Sequence, residues 1–351
     1  MERVLSMITV DDVIPTHKGG RGMERVLSGI RATGRLHFGN FLGAVQHFVR
    51  FQNSGDECYF FIADQHTLTT MYDPEKLRSN ILDLAIDYLA AGLDPNRSVL
   101  YTQSSIPEIP ELHLYLSMMQ PLGELENIPT YKDKVRDNPH NVNLGLIMYP
   151  VLMAADIFGP RSTLVPVGED QVPNLELVRN LGRRFNNKYG DTFVIPRTMD
   201  EMIKVPGLDG SKMGKSNADN AIDINAPIDH IRKRYRDNGV TDLKRTLRST
   251  PGNPYECKSV YPVHEIITIG ETDTRNIAHA CEKAEIGCVE CKDHLVDNLA
   301  TLIGPYQERR RELETQTGYV KDVLHEGGMK ARMVIKETLE TVRDKMGIVI
   351  Y

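Results

Sequence analysis

Apolar and polar positions along the chain fall into two rhythms. Short continuous apolar runs predict strands buried on both faces: Val26-Leu27-Ser28-Gly29-Ile30, Cys58-Tyr59-Phe60-Phe61-Ile62-Ala63 and Ser98-Val99-Leu100-Tyr101. Thr163-Leu164-Val165-Pro166-Val167 and Thr192-Phe193-Val194-Ile195 predict two more. Between these runs, apolar residues recur at helical spacing. Phe41, Leu42, Val45, Phe48 and Val49 follow the first strand, and Leu77, Ile81, Leu84, Tyr88 and Leu89 follow the second. Asp73-Pro74 gives the latter helix a capping carboxylate and a proline at its first position. Such alternation predicts an α/β fold, with a doubly wound parallel-sheet (Rossmann-like) domain over 23–205. Sheets of this kind bind ligands beyond the carboxyl ends of their strands, where Gly34 to Asn40, Asp64 to His66 and Gly168 to Gln171 fall.

Past Pro206 the strand rhythm fades. Helices over Ile228 to Asp237, Asp293 to Ile303 and Tyr319 to Met346 predict a helical domain over 206–325 and a C-terminal helix over 326–351. At the other end, Met1-Glu2-Arg3-Val4-Leu5-Ser6 recurs as Met23-Glu24-Arg25-Val26-Leu27-Ser28. Thr16-His17-Lys18-Gly19-Gly20-Arg21-Gly22 between the copies reads as linker, so the fold is expected to begin at Met23, after a disordered extension over 1–22.

Composition narrows the class. The 351 residues suffice for one large or two medium domains, and 40% hydrophobic with 26% charged residues is ordinary for a globular enzyme. No apolar run approaches the roughly 20 residues that span a bilayer, and no signal peptide precedes the fold, so a cytoplasmic protein with no membrane partner is expected. The formal net charge of -6 argues against bulk attraction to nucleic acid. Any RNA contact would rest on local runs such as Ile231-Arg232-Lys233-Arg234-Tyr235-Arg236 and Arg309-Arg310-Arg311, whose bland reading is a solvated helix face.

Three groups of residues carry candidate chemistry. The first is Gly34-Arg35-Leu36-His37-Phe38-Gly39-Asn40, a glycine turn between a strand and a helix start. Glycine lets a phosphate approach the backbone, and the unpaired N–H groups of a helix start attract anions. The second is Lys212-Met213-Gly214-Lys215-Ser216, whose ammonium groups would stabilise charge moving onto pyrophosphate, on a segment that Asp209-Gly210 and Asn217-Ala218-Asp219 mark as a mobile loop. The third comprises four of the five cysteines, Cys257, Cys281, Cys288 and Cys291, spaced C-x23-C-x6-C-x2-C, whereas Cys58 reads as a small core residue. Four clustered thiols in a cytosolic chain fit zinc or a four-iron four-sulfur cluster. Asp156 lies in the apolar stretch Tyr149 to Phe158, where a buried carboxylate would need a partner; a helix-end or surface position is the plain alternative.

The first two groups resemble the HIGH and KMSKS signatures of class I aminoacyl-tRNA synthetases. Ala63-Asp64-Gln65-His66, Tyr149-Pro150-Val151-Leu152-Met153-Ala154-Ala155-Asp156 and Val165-Pro166-Val167-Gly168-Glu169-Asp170-Gln171 resemble the tryptophanyl branch, and the likeness runs from Met23 to the C-terminus. The resemblance implies ATP-dependent activation of L-tryptophan and its transfer to tRNA(Trp), with Mg2+ on the phosphates and a homodimer as the assembly. It implies an ATP site of Arg31, Ala32, Thr33, His37, Gly39, Asn40, Gly43, Gly168, Glu169, Asp170, Val205, Lys212, Met213, Gly214, Lys215 and Ser216, with Lys212, Lys215 and Lys134 acting on the triphosphate. It implies a tryptophan pocket in which Asp156 accepts the indole N–H, Met153 and Val167 pack on the ring, Tyr149 and Gln171 take the ammonium end and His66 lines the wall. It implies an anticodon-binding surface on the helical domain and a final helix that packs back on the sheet. It also favours the iron–sulfur cluster over zinc, because some members carry nearly the same cysteine spacing.

The chain departs from the family pattern in places. Arg31 stands where many members have Gln, Leu27 replaces a Phe and Ala63 a Val, so the pocket is expected to admit tryptophans substituted at ring positions 4 or 5. Gly214 replaces the middle Ser of the second signature, which removes a hydroxyl contact and loosens the loop. The rival readings are a tyrosyl-type synthetase and a regulatory paralogue that binds tryptophan or RNA without charging tRNA.

Overall fold

The computed structural model describes residues 23–137, 139–199, 203–214, 219–268 and 271–349. The expected N-terminal extension lies outside these residues. Strand β1 (Arg25–Ile30) leads through the glycine turn into helix α1, which opens at Phe38–Asn40, passes through a π-helical turn at Phe41–Val45 and runs on through Gln46–Ser54. Strand β2 (Glu57–Ile62), a single turn at Asp64–Thr67, helix α2 (Pro74–Ala90) and strand β3 (Ser98–Thr102) follow. Asp73 caps α2 by accepting from the Glu75 and Lys76 amides, with Pro74 in its first turn.

The three strands are parallel in the order β1-β2-β3. Leu164 pairs beside Val26, and Arg197 beside Leu164, both in parallel. The spatial order is therefore β3-β2-β1, then Leu164, then Arg197, which is a doubly wound arrangement with its switch point beside β1. The two outer strands expected from sequence shrink to these single bridges, and the second falls at Arg197 rather than within Thr192 to Ile195. Pro166 and Pro196 sit beside the pairing positions, and proline lacks the N–H that a ladder requires.

Alternate residues of each strand serve opposite layers. Val26, Cys58, Phe60, Ile62 and Leu100 face one core with α1 and α2, where Phe48 stacks on Phe60 at 4.5 Å. Leu27, Tyr59, Phe61, Ala63 and Tyr101 face a second core. That core is built from α3 (Glu108–Ser117), α4 (Leu122–Glu126), α6 (Leu144–Phe158), α7 (Val172–Tyr189) and the last helix, while α5 (Pro129–Asp137) lies at its margin.

The rest is helical: α8 (Ile228–Asn238), α9 (Val260–Ile267), α10 (Glu271–Glu282), α11 (Cys288–Glu314) and α12 (Thr317–Met346). α11 runs much further than the predicted Asp293 to Ile303, continuing through Gly304-Pro305. α12 crosses β3 so closely that a Cβ on Gly327 would lie 1.8 Å from the Leu100 carbonyl oxygen. Ala331, Ile335, Leu339 and Val342 bury into the second core, and Arg343 pairs with Glu111 at 2.5 Å.

Candidate active site

The switch point places the loop after β1 next to the loop after Leu164. Gly34 has φ of 129°, a conformation that only glycine adopts without strain. His37 caps the start of α1, its Nδ1 accepting from the Asn40 amide at 3.2 Å. His37 pairs with Asp223, and the Phe38 N–H donates to the Ile222 carbonyl at 2.8 Å. The Gly39 N–H meets the Met213 sulfur at 3.2 Å, joining positions 174 residues apart. A side chain on Gly39 would press on the His37 ring at 3.0 Å and on Met213 at 3.2 Å. Gly43 similarly leaves room for the Ile203 carbonyl at 2.9 Å.

Met213 belongs to a hairpin in which Pro206 pairs with Lys212, the Gly207 amide donates to the Ser211 carbonyl and the Met213 amide to the Val205 carbonyl. Asn220 buttresses it, accepting from the Asp209 amide at 3.0 Å and donating to Ser211 at 3.0 Å. The segment through Lys212 is thus a braced hairpin, and most of the stretch expected to form a mobile loop, 215–218, lies outside the described residues. Lys212 pairs with Asp170 at 2.8 Å and Lys204 with Glu169 at 2.6 Å. Burial opposes ionisation of Asp170, but the Lys212 and Gln171 hydrogen bonds prevail and hold its pKa below the ordinary value. Gln171 in turn accepts from Asn174, which accepts from Thr130 on α5, the helix that carries Lys134 in its last turn. Arg31, just past β1, reaches the hydroxyls of Thr69 and Thr70. Ala32 and Thr33 follow it, the Ala32 amide donating to Thr67 at 2.9 Å. Lys215 and Ser216 lie outside the described residues; Gly214 is the last described before them.

On the other side of β1, Asp156 is 3% exposed within α6. Its carboxylate, which on the sequence reading needs a partner if buried, has two. Gln103 Nε2 lies 2.9 Å from both oxygens, and His66 Nε2 lies 3.0 Å from Oδ2. A carboxylate offers about four acceptor positions, so these contacts leave one open on Oδ1. Burial pushes the Asp156 pKa up, and the His66 and Gln103 hydrogen bonds only partly offset it. The His66 ring lies 4.1 Å from the Tyr149 ring. Met153 and Val167 pack at the edge of the core that contains Leu27 and Ala63. Sequence reading missed Gln103, although it stands directly after β3, at the carboxyl end where such sheets hold ligands.

The four distal cysteines also converge. Cys257, Cys281, Cys288 and Cys291 line one cavity of about 20 Å³, with Arg245 Nη1 at 3.6 Å from the Cys281 sulfur and His264 Nε2 at 3.5 Å from that of Cys291. Among the described residues, no three His, Cys, Asp or Glu side chains are arranged to hold a metal ion, so the expected iron–sulfur cluster, or zinc, on these cysteines finds no support in the structure. The space is about that of one water.

The basic runs are largely neutralised by other parts of the chain. Arg232 pairs with Asp293 and Asp297, Arg236 with Asp293, and Arg234 with Asp219. Arg310 is buried against Asp87, and Arg309 pairs with Glu312.

A model of the family "tRNA synthetases class I (W and Y)" matches residues 21–304. The chain is 40% identical over 328 residues to the Tryptophan--tRNA ligase of Thermotoga maritima, covering 92% of this chain and 99% of that one. It is 38% identical over 331 residues to the enzyme of the same name from Deinococcus radiodurans, covering 93% and 99%. Among solved structures, the tryptophanyl-tRNA synthetase of Campylobacter jejuni complexed with ADP and tryptophan superposes with a TM-score of 0.82 at 34% identity, covering 92% of this chain and 99% of that one. The tyrosyl-tRNA synthetase of Archaeoglobus fulgidus shares the fold, with a TM-score of 0.65 at 19% identity. With its two signature segments in contact at the switch point, the chain belongs to the class I tRNA synthetases, in the tryptophanyl-tRNA synthetase branch.

Proposed function

We propose a division of labour among these residues for the branch's reaction, which activates L-tryptophan with ATP and passes it to tRNA(Trp). The tryptophan carboxylate, already ionised at neutral pH, attacks the α-phosphate, giving tryptophanyl-adenylate and pyrophosphate; the 3′-terminal ribose hydroxyl of the tRNA then takes the acyl group and releases AMP. No protein general base is needed for the first step. The turn from Gly34 to Asn40, with Arg31 to Thr33, Gly43, Gly168 to Asp170 and Val205, cradles ATP, and Mg2+ entering with the nucleotide would offset the charge of its phosphates. Lys212, Lys215 and Lys134 draw charge onto the leaving pyrophosphate. Lys212 must exchange Asp170 for phosphate, so ATP binding itself rearranges this loop.

Asp156 accepts the indole N–H through its open position, His66 and Gln103 fix its orientation, and Tyr149 and Gln171 hold the ammonium end. Indole is a donor without an acceptor, and phenylalanine would leave the buried carboxylate short of a partner. The smaller Leu27 and Ala63 leave room for ring substituents. The observation that carries this reading is the Gly39–Met213 contact beside the switch point. ATP–pyrophosphate exchange driven by tryptophan, and by its ring-substituted analogues but not by tyrosine, is the expected result, lowered about a hundredfold or more by Lys212→Ala. Exchange driven by tyrosine alone would overturn it, and exchange without tRNA charging would make the chain a paralogue outside translation.

By donor type alone, the four thiols of Cys257, Cys281, Cys288 and Cys291, which line one cavity, would suit a four-iron four-sulfur cluster or zinc, although their present arrangement does not form a metal site. Either group would order the loops that approach the anticodon, without entering the chemistry. Iron, sulfide and zinc analysis of anaerobically purified protein decides between them. Exposed Leu114, Met118, Leu122 and Leu144, on α3, α4 and the start of α6, support a homodimer. Among the described residues no helix is long and apolar enough to cross a membrane. The cytoplasm, where tRNA is charged, is the compartment that fits this reaction.

A further inference from the structure

The helical half reaches the ATP-binding turn through one buried carboxylate that the reaction does not use. Asp87 on α2 is fully buried. Its Oδ2 accepts from the Leu36 N–H at 3.4 Å, within the turn from Gly34 to Asn40. Its Oδ1 accepts from the Tyr306 hydroxyl at 2.6 Å and from Arg310. Tyr306 and Arg310 stand one turn apart on the buried face of α11. Arg310 also holds Asp83 at 2.8 Å and Glu314 at 3.1 Å. A buried charge with no solvent must keep such partners, so the junction is fixed on all sides.

Tyr306 makes two further contacts, with residues that flank or meet the turn. Its ring packs on Phe41, in the second turn of α1, at a centroid distance of 5.2 Å. Its oxygen lies 2.9 Å from the side-chain oxygen of Asn225, whose Nδ2 has no partner. A hydroxyl has one proton, so rotating that amide lets Nδ2 donate to Tyr306 while Tyr306 donates to Asp87. Asn225 belongs to the segment that meets the signature turn, since Ile222 and Asp223 pair with Phe38 and His37. The neighbouring Gln307 holds the Ile224 and Ala226 carbonyls of the same segment. The opposite end of α11, whose 27 residues span about 40 Å, lines the cysteine cavity.

We infer that Tyr306, acting through Asp87 and Phe41, is a positioning residue for the ATP-binding turn. The inference rests on the reading of that turn as the ATP site. Tyr306→Phe keeps the ring on Phe41 and removes only the hydroxyl. In tryptophan-dependent ATP–pyrophosphate exchange, kcat/KM for ATP should fall about tenfold while KM for tryptophan stays within about twofold. A hydroxyl with a merely structural role would lower the melting temperature and leave the ATP parameters intact, which would overturn the inference. Asp87→Asn, with the double variant, supplies a second measure. The ATP effects should be strongly less than additive if the two act as one unit, and additive losses would count against it. His37→Ala tests the underlying site separately. If it impairs ATP use and Tyr306→Phe does not, only the junction fails; if His37→Ala is also silent, the site reading fails.

Discussion

At the scale of single residues, the recognition role proposed for Asp156 comes with a cost in stability. Burial raises its pKa above the ordinary value of 3.8. A group whose folded pKa is raised adds stability below its unfolded pKa and loses it as pH rises through the folded pKa. Near neutrality, therefore, the ionised side chain is a net cost to the fold, retained for the ligand. Asp156→Asn keeps an acceptor for His66 or Gln103 without the charge. Its melting temperature at pH 7 should equal or exceed that of the parent, while KM for tryptophan rises about ten- to a hundredfold. In the parent, tryptophan affinity should weaken on acidification at a higher pH than an ordinary carboxylate would give, and this titration should vanish in the variant. Fluorimetric melting and exchange kinetics across pH check both. The proposed site was legible in the sequence only through the family resemblance, which singled out Asp156, His66 and Lys212 among many like residues. Gln103 was not, because a polar residue after a strand has no signature until the strand is placed beside α6.

At the scale of elements, the close crossing of α12 over β3 depends on one missing methyl group. Any side chain on Gly327 meets the Leu100 carbonyl, a backbone group of strand β3 with no flexible end to move aside. Gly327→Ala should destabilise by about 3 kcal/mol or more in urea unfolding, since overpacking against backbone forces the helix outward. Gly318→Ala, in the same helix with nothing within 4 Å, should instead stabilise by about 0.5–1 kcal/mol. Equal effects of the two would mean that the crossing is not the constraint. Sequence rhythm predicted β1, β2 and β3 well because both of their faces are buried, which leaves unbroken apolar runs. It overextended the two outer strands, where prolines interrupt pairing within apolar sequence. It truncated α11 because Gly304-Pro305 reads as a stop, whereas packing of Leu299, Ile303, Tyr306 and Leu313 carries the helix through.

At the scale of the whole molecule, two sites share one sheet, and the chain offers an unusually clean way to separate them. These 351 residues contain no tryptophan. Indole fluorescence in a titration therefore comes only from the ligand, and translation of these residues draws on no tryptophanyl-tRNA. Binding should move ligand emission to shorter wavelength as indole leaves water for the walls made by Met153 and Val167. The turn that meets Met213 lies on the far side of β1 from Asp156, so a change there should spare tryptophan binding alone. Gly39→Ala presses a methyl group between the His37 ring and Met213 and obstructs the approach of phosphate. Its midpoint for tryptophan should match that of the parent within about twofold, yet a non-hydrolysable ATP analogue, which is expected to tighten tryptophan binding in the parent, should not do so in the variant. Asp156→Asn should show the converse, a midpoint about ten- to a hundredfold higher that the analogue still lowers. If both variants instead lost tryptophan binding alike, the two sites would form one unit that folds or fails together, and a switch-point division between nucleotide and amino acid would not describe this molecule.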